Sequence, residues 1–182
     1  MKISTLFLLV SLFLASSLQA QDKMIKTDSV EIIKNVKGSF KYKNYYLSAQ
    51  PSLEALRWYK SQGVNKIINL RTEKENKDYS AYAYSEQNIA EELGFEYHSL
   101  PIGGSKDYTP ENLAKFEKLI KGDEKLLIHC RSAGRATILF MAYLIQHEGY
   151  SANEAATIGR QIKFSLPFEK MLDTEISLEM VN

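Results

Sequence analysis

The sequence predicts an α/β fold: a central, mostly parallel sheet flanked by helices on both faces. Three observations carry this. Short apolar runs of strand character alternate with segments of helical period through residues 40–163. Residues 126–130 (Leu-Leu-Ile-His-Cys) are largely apolar, as a strand covered on both sides would be. Residues 136–145 are apolar on nearly every side, which marks a helix buried in the middle of the fold. No linker-like stretch divides residues 36–182, so they read as one domain.

The elements follow in order. Residues 21–35 read as a frayed or extended arm. Phe40, Tyr42, Tyr45, Tyr46 and Leu47 fit one or two strands turned at Lys43-Asn44. Pro51 opens a helix in which Leu53, Leu56 and Tyr59 recur every third residue, and Gly63 suits its C-terminal stop. Residues 64–70 read as strand, 71–78 as a charged loop, 81–93 as a helix stopped by Gly94, and 95–102 as strand. Thr109 is an N-cap with Pro110 at the first helical position, and Leu113, Phe116, Leu119 and Ile120 form the apolar stripe before Gly122. Ser151-x-x-Glu154 is a capping box for a helix with Ala155, Ile158 and Ile162 inward. A last helix is expected after Pro167.

The chain of 182 residues is long enough to bury a core without disulfide or metal, and its net charge of +1 gives no footprint for nucleic acid. Residues 1–20 differ from the rest. Lys2 gives a positive start, residues 3–14 are nearly all apolar, and the stretch ending at Ala20 is rich in small residues. That layout predicts a secretory signal peptide, and the apolar run is shorter than the ~20 residues a membrane span needs. The expectation is export to the periplasm or medium, with no stable membrane insertion after cleavage. Without Lys2, 22 Lys and Arg face 22 Asp and Glu, so neither an acidic polymer nor an anionic membrane is a favoured partner. Cys130 then has no intramolecular partner in an oxidising compartment, where a lone thiol is either buried and inert or kept for its chemistry.

The chemistry concentrates between Leu126 and Thr137. A strand ends at Cys130, a turn of Arg131, Ser132, Ala133 and Gly134 follows, and Arg135 precedes the buried helix. Ligands of open α/β sheets bind at the carboxyl ends of strands. Successive backbone N–H groups of such a turn form a nest for an anion, and the helix points its positive end at the same place. Arg135 adds a planar clamp suited to phosphate, and positive surroundings of this kind favour a thiolate nucleophile. The bland alternative is a small buried cysteine beside two surface arginines. His129 fits a role in orienting the loop or tuning the thiol by a hydrogen bond. A metal role is disfavoured, because Cys130 is the only thiol and His98 and His147 show no ligand spacing.

His129-Cys130, the short Gly-bearing loop, Arg135 and the helix resemble the cysteine-dependent protein tyrosine phosphatase superfamily, especially its dual-specificity members. Residues 46–52 (Tyr-Leu-Ser-Ala-Gln-Pro-Ser) and 63–71 (Gly-Val-Asn-Lys-Ile-Ile-Asn-Leu-Arg) are similar to the opening of the bacterial beta-lactamase-hydrolase-like branch. Residues 149–161 are similar to the helix that follows the loop in dual-specificity phosphatases. Most of the superfamily places five residues between Cys and Arg; here there are four, as in that branch. The usual Arg position falls on Ala136, and Thr137 stands where a Ser or Thr helps the thiolate leave.

The resemblance implies a cysteine-phosphatase-like fold and a phosphomonoesterase without metal or organic cofactor. Cys130 would be the nucleophile, with the amides of residues 131–135 and the Arg135 side chain holding phosphate. The general acid would come from the loop after residues 95–102, where Asp107 is the candidate; it serves equally well as a charge near the positive end of the next helix. Glu73 and Glu75 are back-up acids or plain solvated charges, and Arg71 is expected to tie down its own loop by ion pairing or to contact the substrate. Tyr79, Tyr82 and Tyr84 fit a pocket wall or a packed helix face. The substrate class stays open among protein, nucleotide, inositol phosphate and lipid. Two rivals stand beside this reading: a rhodanese-like sulfurtransferase, whose loop has the same length, and a non-catalytic phosphate-binding module.

Overall fold

The computed structural model describes residues 29–78, 84–164, 169–172 and 175–177. The expected signal peptide, Tyr79, Tyr82 and Pro167 lie outside the described residues.

Six strands form one sheet: β1 (Glu31–Ile32), β2 (Ser39–Tyr42), β3 (Tyr45–Ser48), β4 (Lys66–Asn69), β5 (Glu96–Ser99) and β6 (Leu126–His129). Their order is β1-β2-β3-β6-β4-β5. The strands from β3 to β5 run parallel, while β1 and β2 add an antiparallel edge folded back at Lys43. Every residue of β4 and β6 is buried, as expected of inner parallel strands. The expected arm is, over its last residues, part of the fold: Glu31 and Ile32 pair with β2, and Ile33 is buried.

The helices are α1 (Leu53–Ser61), α2 (Glu73–Asn76), α3 (Glu86–Glu92), α4 (Pro110–Ile120), α5 (Gly134–His147) and α6 (Ala152–Ile162). Helices α4, α5 and α6 build one core on one face of the sheet, and α1 and α3 build a second on the other. Side chains along β6 alternate accordingly. Leu126, Ile128 and Cys130 enter the first core and Leu127 the second. Nine consecutive residues of α5, Ala136 to Leu144, are buried. Gly159 of α6 lets α5 approach closely, since a Cβ there would lie 2.2 Å from Met141 Sδ. The caps at Thr109 and the Ser151–Glu154 box fall where the sequence predicts them, and Gly63 adopts a φ of 80°, whereas α1 is capped by Ser52, which leaves Pro51 just outside the helix it was expected to open.

Three expectations need correction. The loop at 71–78 contains the short helix α2, held by a capping box between Thr72 and Glu75. Four residues carry no apolar stripe, so hydrophobic period is silent there. The helix expected over 81–93 occupies Glu86–Glu92 behind an N-cap at Ser85. Near the C-terminus, Glu169–Met171 makes a single 3₁₀ turn.

Candidate active site

Sheet register assembles the site. Ser48 and Asn69 both pair with His129, so β3, β4 and β6 end level with one another. The chain leaves these ends through Ala49-Gln50, Leu70-Arg71 and Cys130. Cys130 is fully buried, and its N–H donates to Ser48 O at 3.3 Å. The loop is laced to the end of β3: Gln50 N–H donates to Arg131 O at 3.4 Å, and Ala49 bridges Ser132. The Arg131 and Ser132 side chains face solvent.

The loop turns into α5 at Ala133, which has a φ of 68°. The sequence places the turn's glycine at Gly134, but Gly134 is the first residue of α5, and the left-handed position falls on an alanine. Such a conformation costs a non-glycine residue roughly 1–2 kcal/mol. No side chain caps α5, so its first N–H groups remain available to an anion.

Arg135 turns inward. Its Nη1 donates to Ile102 O at 2.6 Å, Glu75 Oε2 at 2.8 Å and Leu70 O at 3.3 Å, and its Nη2 donates to Glu75 Oε1 at 2.7 Å. A guanidinium has five N–H donors, so Nε and the second Nη2 proton are left over. Arg135 also feels the Cys130 side chain electrostatically. Burial works against its charge, but Glu75 and Cys130 more than offset it and raise its pKa. The bonds from Arg135 draw the Glu75 carboxyl down from 4.5 to about 2, against the opposing effect of burial. Glu75 is therefore an ionised anchor for Arg135, which corrects its reading as a back-up acid. Glu73 is exposed and pairs with Lys77 at 3.8 Å.

Arg71 ties down its loop through hydrogen bonds to neutral acceptors, where an ion pair was expected. Its Nη1 donates to Gln50 Oε1 at 2.8 Å, its Nη2 donates to Glu75 O, and its N–H donates to Asn69 Oδ1 at 2.8 Å. His129 is fully buried, with Nε2 2.7 Å from Glu86 Oε1. That separation suits an ion pair when the ring is protonated, although neither ring nitrogen is aligned for a straight hydrogen bond. The expected hydrogen bond from His129 to the thiol is thus absent: strand alternation sends the ring to the α3 side and the sulfur to the α5 side.

Asp107 ends the 3₁₀ turn Ser105–Asp107, on the expected loop. Its Oδ2 accepts the Gly103 N–H at 2.6 Å and its carbonyl accepts from Asn112 Nδ2 at 2.8 Å. The carboxylate bonds its own loop, and the capping of α4 falls to Thr109. Thr137 is fully buried and donates its hydroxyl proton to Ala133 O at 2.9 Å. It braces the loop, and the expected help to the thiolate is not seen, because that one proton is committed to a carbonyl. Tyr84 donates to Pro51 O at 3.1 Å and walls a cavity of about 230 Å³ together with Gln50, Arg71, Asn76, Ser85 and Glu86. Among the described residues no cluster of His, Cys, Asp or Glu is arranged to hold a metal ion.

Sequence reasoning missed Tyr108 and Glu86. The buried Tyr108 hydroxyl is raised first by burial; Arg135 lowers it, and the charges of Cys130 and Asp107 raise it further. Its hydroxyl thus feels the charges of Arg135, Cys130 and Asp107 together. An aromatic residue wedged between a candidate acid and an N-cap is the signal that marks it. Glu86 carries no such signal beyond its place in the first turn of α3.

A family model described as PTP-NADK, a DSP-PTPase phosphatase fused to NAD+ kinase, matches residues 22–169. Beta-lactamase hydrolase-like protein of Xylella fastidiosa is 26% identical over 121 residues, which is 66% of this chain but 28% of that protein. The chain thus spans little more than a quarter of that curated relative. A DUF442 protein of Shewanella putrefaciens CN-32 shares the fold with a TM-score of 0.53 at 20% identity, over 71% of this chain and 84% of its own. Tk-PTP in its active form superposes with a TM-score of 0.50 at 25% identity, over 65% and 79%. Because the family model covers most of its length, the chain belongs to the PTP-NADK family of DSP-PTPase-type phosphatases.

Proposed function

We propose that the chain is an exported, cysteine-dependent phosphomonoesterase that works through a cysteinyl-phosphate. The observation that carries this reading is Arg135: Glu75 and two backbone carbonyls hold it beside Cys130 at the uncapped start of α5. In the first step Cys130 Sγ attacks phosphorus and an S–P bond forms as the bond to the ester oxygen breaks. Asp107 delivers its proton to that oxygen. The loop amides and the spare Arg135 donors hold the equatorial oxygens as charge develops. In the second step water attacks phosphorus, Asp107 takes the water proton, the S–P bond breaks, and phosphate leaves with the thiolate restored.

The test is hydrolysis of a phosphoester panel (aryl phosphate, phosphopeptide, nucleotide, inositol phosphate, phospholipid) beside thiosulfate–cyanide sulfurtransfer. Phosphate release that Cys130→Ser abolishes supports the proposal; sulfurtransfer without phosphate release points to the rhodanese-like rival. Export is tested by mass spectrometry of protein recovered outside the cytoplasm, where an intact Met1 overturns signal cleavage.

A further inference from the structure

We propose that Glu86, on a helix that contributes nothing to the Cys130 loop, is a positioning residue for the phosphoryl chemistry, holding both ends of the loop at once. The inference rests on the phosphatase reading above. The Glu86 side chain is 7% exposed. A buried carboxylate is strongly unfavourable unless it is paired and hydrogen-bonded. Burial pushes its carboxyl upward, but His129 and the amide of Gln50 outweigh that and hold it below the ordinary value, so Glu86 is an anion.

One oxygen lies 2.7 Å from His129 Nε2, and His129 is the residue before the nucleophile. The other accepts from Gln50 Nε2. The Gln50 Oε1 in turn accepts from Arg71 at 2.8 Å. That orientation is forced, since an ionised carboxylate only accepts and a guanidinium only donates. Arg71 then donates to the main-chain oxygen of Glu75, whose carboxylate anchors Arg135. The Gln50 backbone N–H also reaches Arg131 O at 3.4 Å. A single anion in α3 therefore governs the residue before Cys130 through one oxygen and the anchor of Arg135 through the other. Side-chain chains of this kind move as units, so loosening one link displaces the reacting groups.

The experiment compares wild type, Glu86→Gln, Gln50→Leu, Glu75→Gln and the double variant Glu86→Gln/Glu75→Gln. Tungstate affinity is measured by calorimetry, kcat and KM on p-nitrophenyl phosphate, and melting temperature by circular dichroism. The expected result is a loss of about 10-fold or more in tungstate affinity and in kcat for Glu86→Gln, with a smaller loss for Gln50→Leu, which spares the His129 contact. The double variant should be little worse than the worse single one, because both cut the same chain. Tungstate affinity within twofold of wild type in Glu86→Gln and Gln50→Leu, with only the melting temperature lowered, makes Glu86 a mere counter-charge for His129 and overturns the proposal. Should Glu86→Gln fail to fold, Gln50→Leu decides alone. Wild type that binds tungstate but releases phosphate from no ester refutes the phosphatase reading, while the tungstate comparison still decides the role of Glu86.

Discussion

Glu75 and Arg135, 60 residues apart in sequence, meet through two parallel bonds of 2.8 and 2.7 Å. The pairing uses one edge of the guanidinium and leaves Nε and one Nη2 proton unspent, so a loop of four residues between Cys and Arg still leaves arginine donors to offer an anion. A fork of this kind fixes direction as well as charge.

Arg135 and Arg131 should therefore differ sharply. Arg135→Ala should lower kcat/KM on an aryl phosphate by about 10²–10³-fold, of the order seen for loss of an oxyanion donor. Arg135→Lys should be nearly as damaging, since an ammonium cannot reproduce the fork. Arg131→Ala should cost about 1 kcal/mol or less, because its side chain is exposed. Equal activities of the two Ala variants would remove the anion clamp from the mechanism.

Glu75→Gln should keep the fold and lose activity by about 100-fold, as expected when a guanidinium loses its aim. The pairing also has a pH signature. The Glu75 carboxyl lies near 2 when folded against 4.5 ordinarily, so its contribution to stability is present above about 4.5 and disappears as pH falls toward 2. Melting curves of wild type and Glu75→Gln should differ at pH 6 and converge by pH 2. A constant gap over that range contradicts the pairing.

Cys130→Ser should abolish phosphate release yet still bind tungstate, because the loop amides and Arg135 remain in place. Calorimetry and a phosphate-release assay on the same preparation check both halves. Wild-type turnover by the Ser variant means that Cys130 is not the nucleophile.

Asp107→Asn should slow alkyl phosphates far more than p-nitrophenyl phosphate, whose leaving oxygen needs little help from an acid. General acid catalysis is typically worth 10²–10⁴-fold. The ratio of the two losses is the measurement, and equal losses reduce Asp107 to its bond with Gly103.

Ala133→Gly should change stability by between about zero and 1.5 kcal/mol in the favourable direction. The left-handed conformation costs alanine roughly 1–2 kcal/mol, and the extra freedom of glycine in the unfolded chain returns about 0.4–1. Ala133→Val should destabilise. Urea midpoints of the three proteins test the pair, and destabilisation by glycine contradicts the observed φ of 68°.

The Cys130 loop was legible because its parts are contiguous: a strand, Cys130, a turn, Arg135 and the start of a buried helix follow one another between Leu126 and Thr137. The caps at Thr109 and Ser151 were legible for the same reason. What supports the loop was not. Gln50 reaches it from the β3–β4 crossover, and Arg71, Glu75 and Glu86 from separate parts of the β4–β5 crossover, and no local period encodes contacts between loop ends. The signature that did exist, Thr72-x-x-Glu75, matches the box recognised at Ser151-x-x-Glu154 but lacks an apolar run behind it. The turn misled in a different way. Gly134 drew attention as the flexible residue, whereas the strained conformation sits one residue earlier, imposed by the backbone bonds that lace Arg131 and Ser132 to β3.

The level endings of β3, β6 and β4 make catalytic competence a matter of strand registry. A slip by one residue reverses which side each side chain faces, so Cys130 and His129 would exchange sides and no remnant of the site would survive. Half-formed sheets should then be inert rather than partly active. Enzymatic rate becomes an all-or-none reporter of assembly: activity and far-ultraviolet dichroism should vanish along one superimposable urea curve, and activity persisting after the sheet signal is lost would show that the loop can organise without its frame.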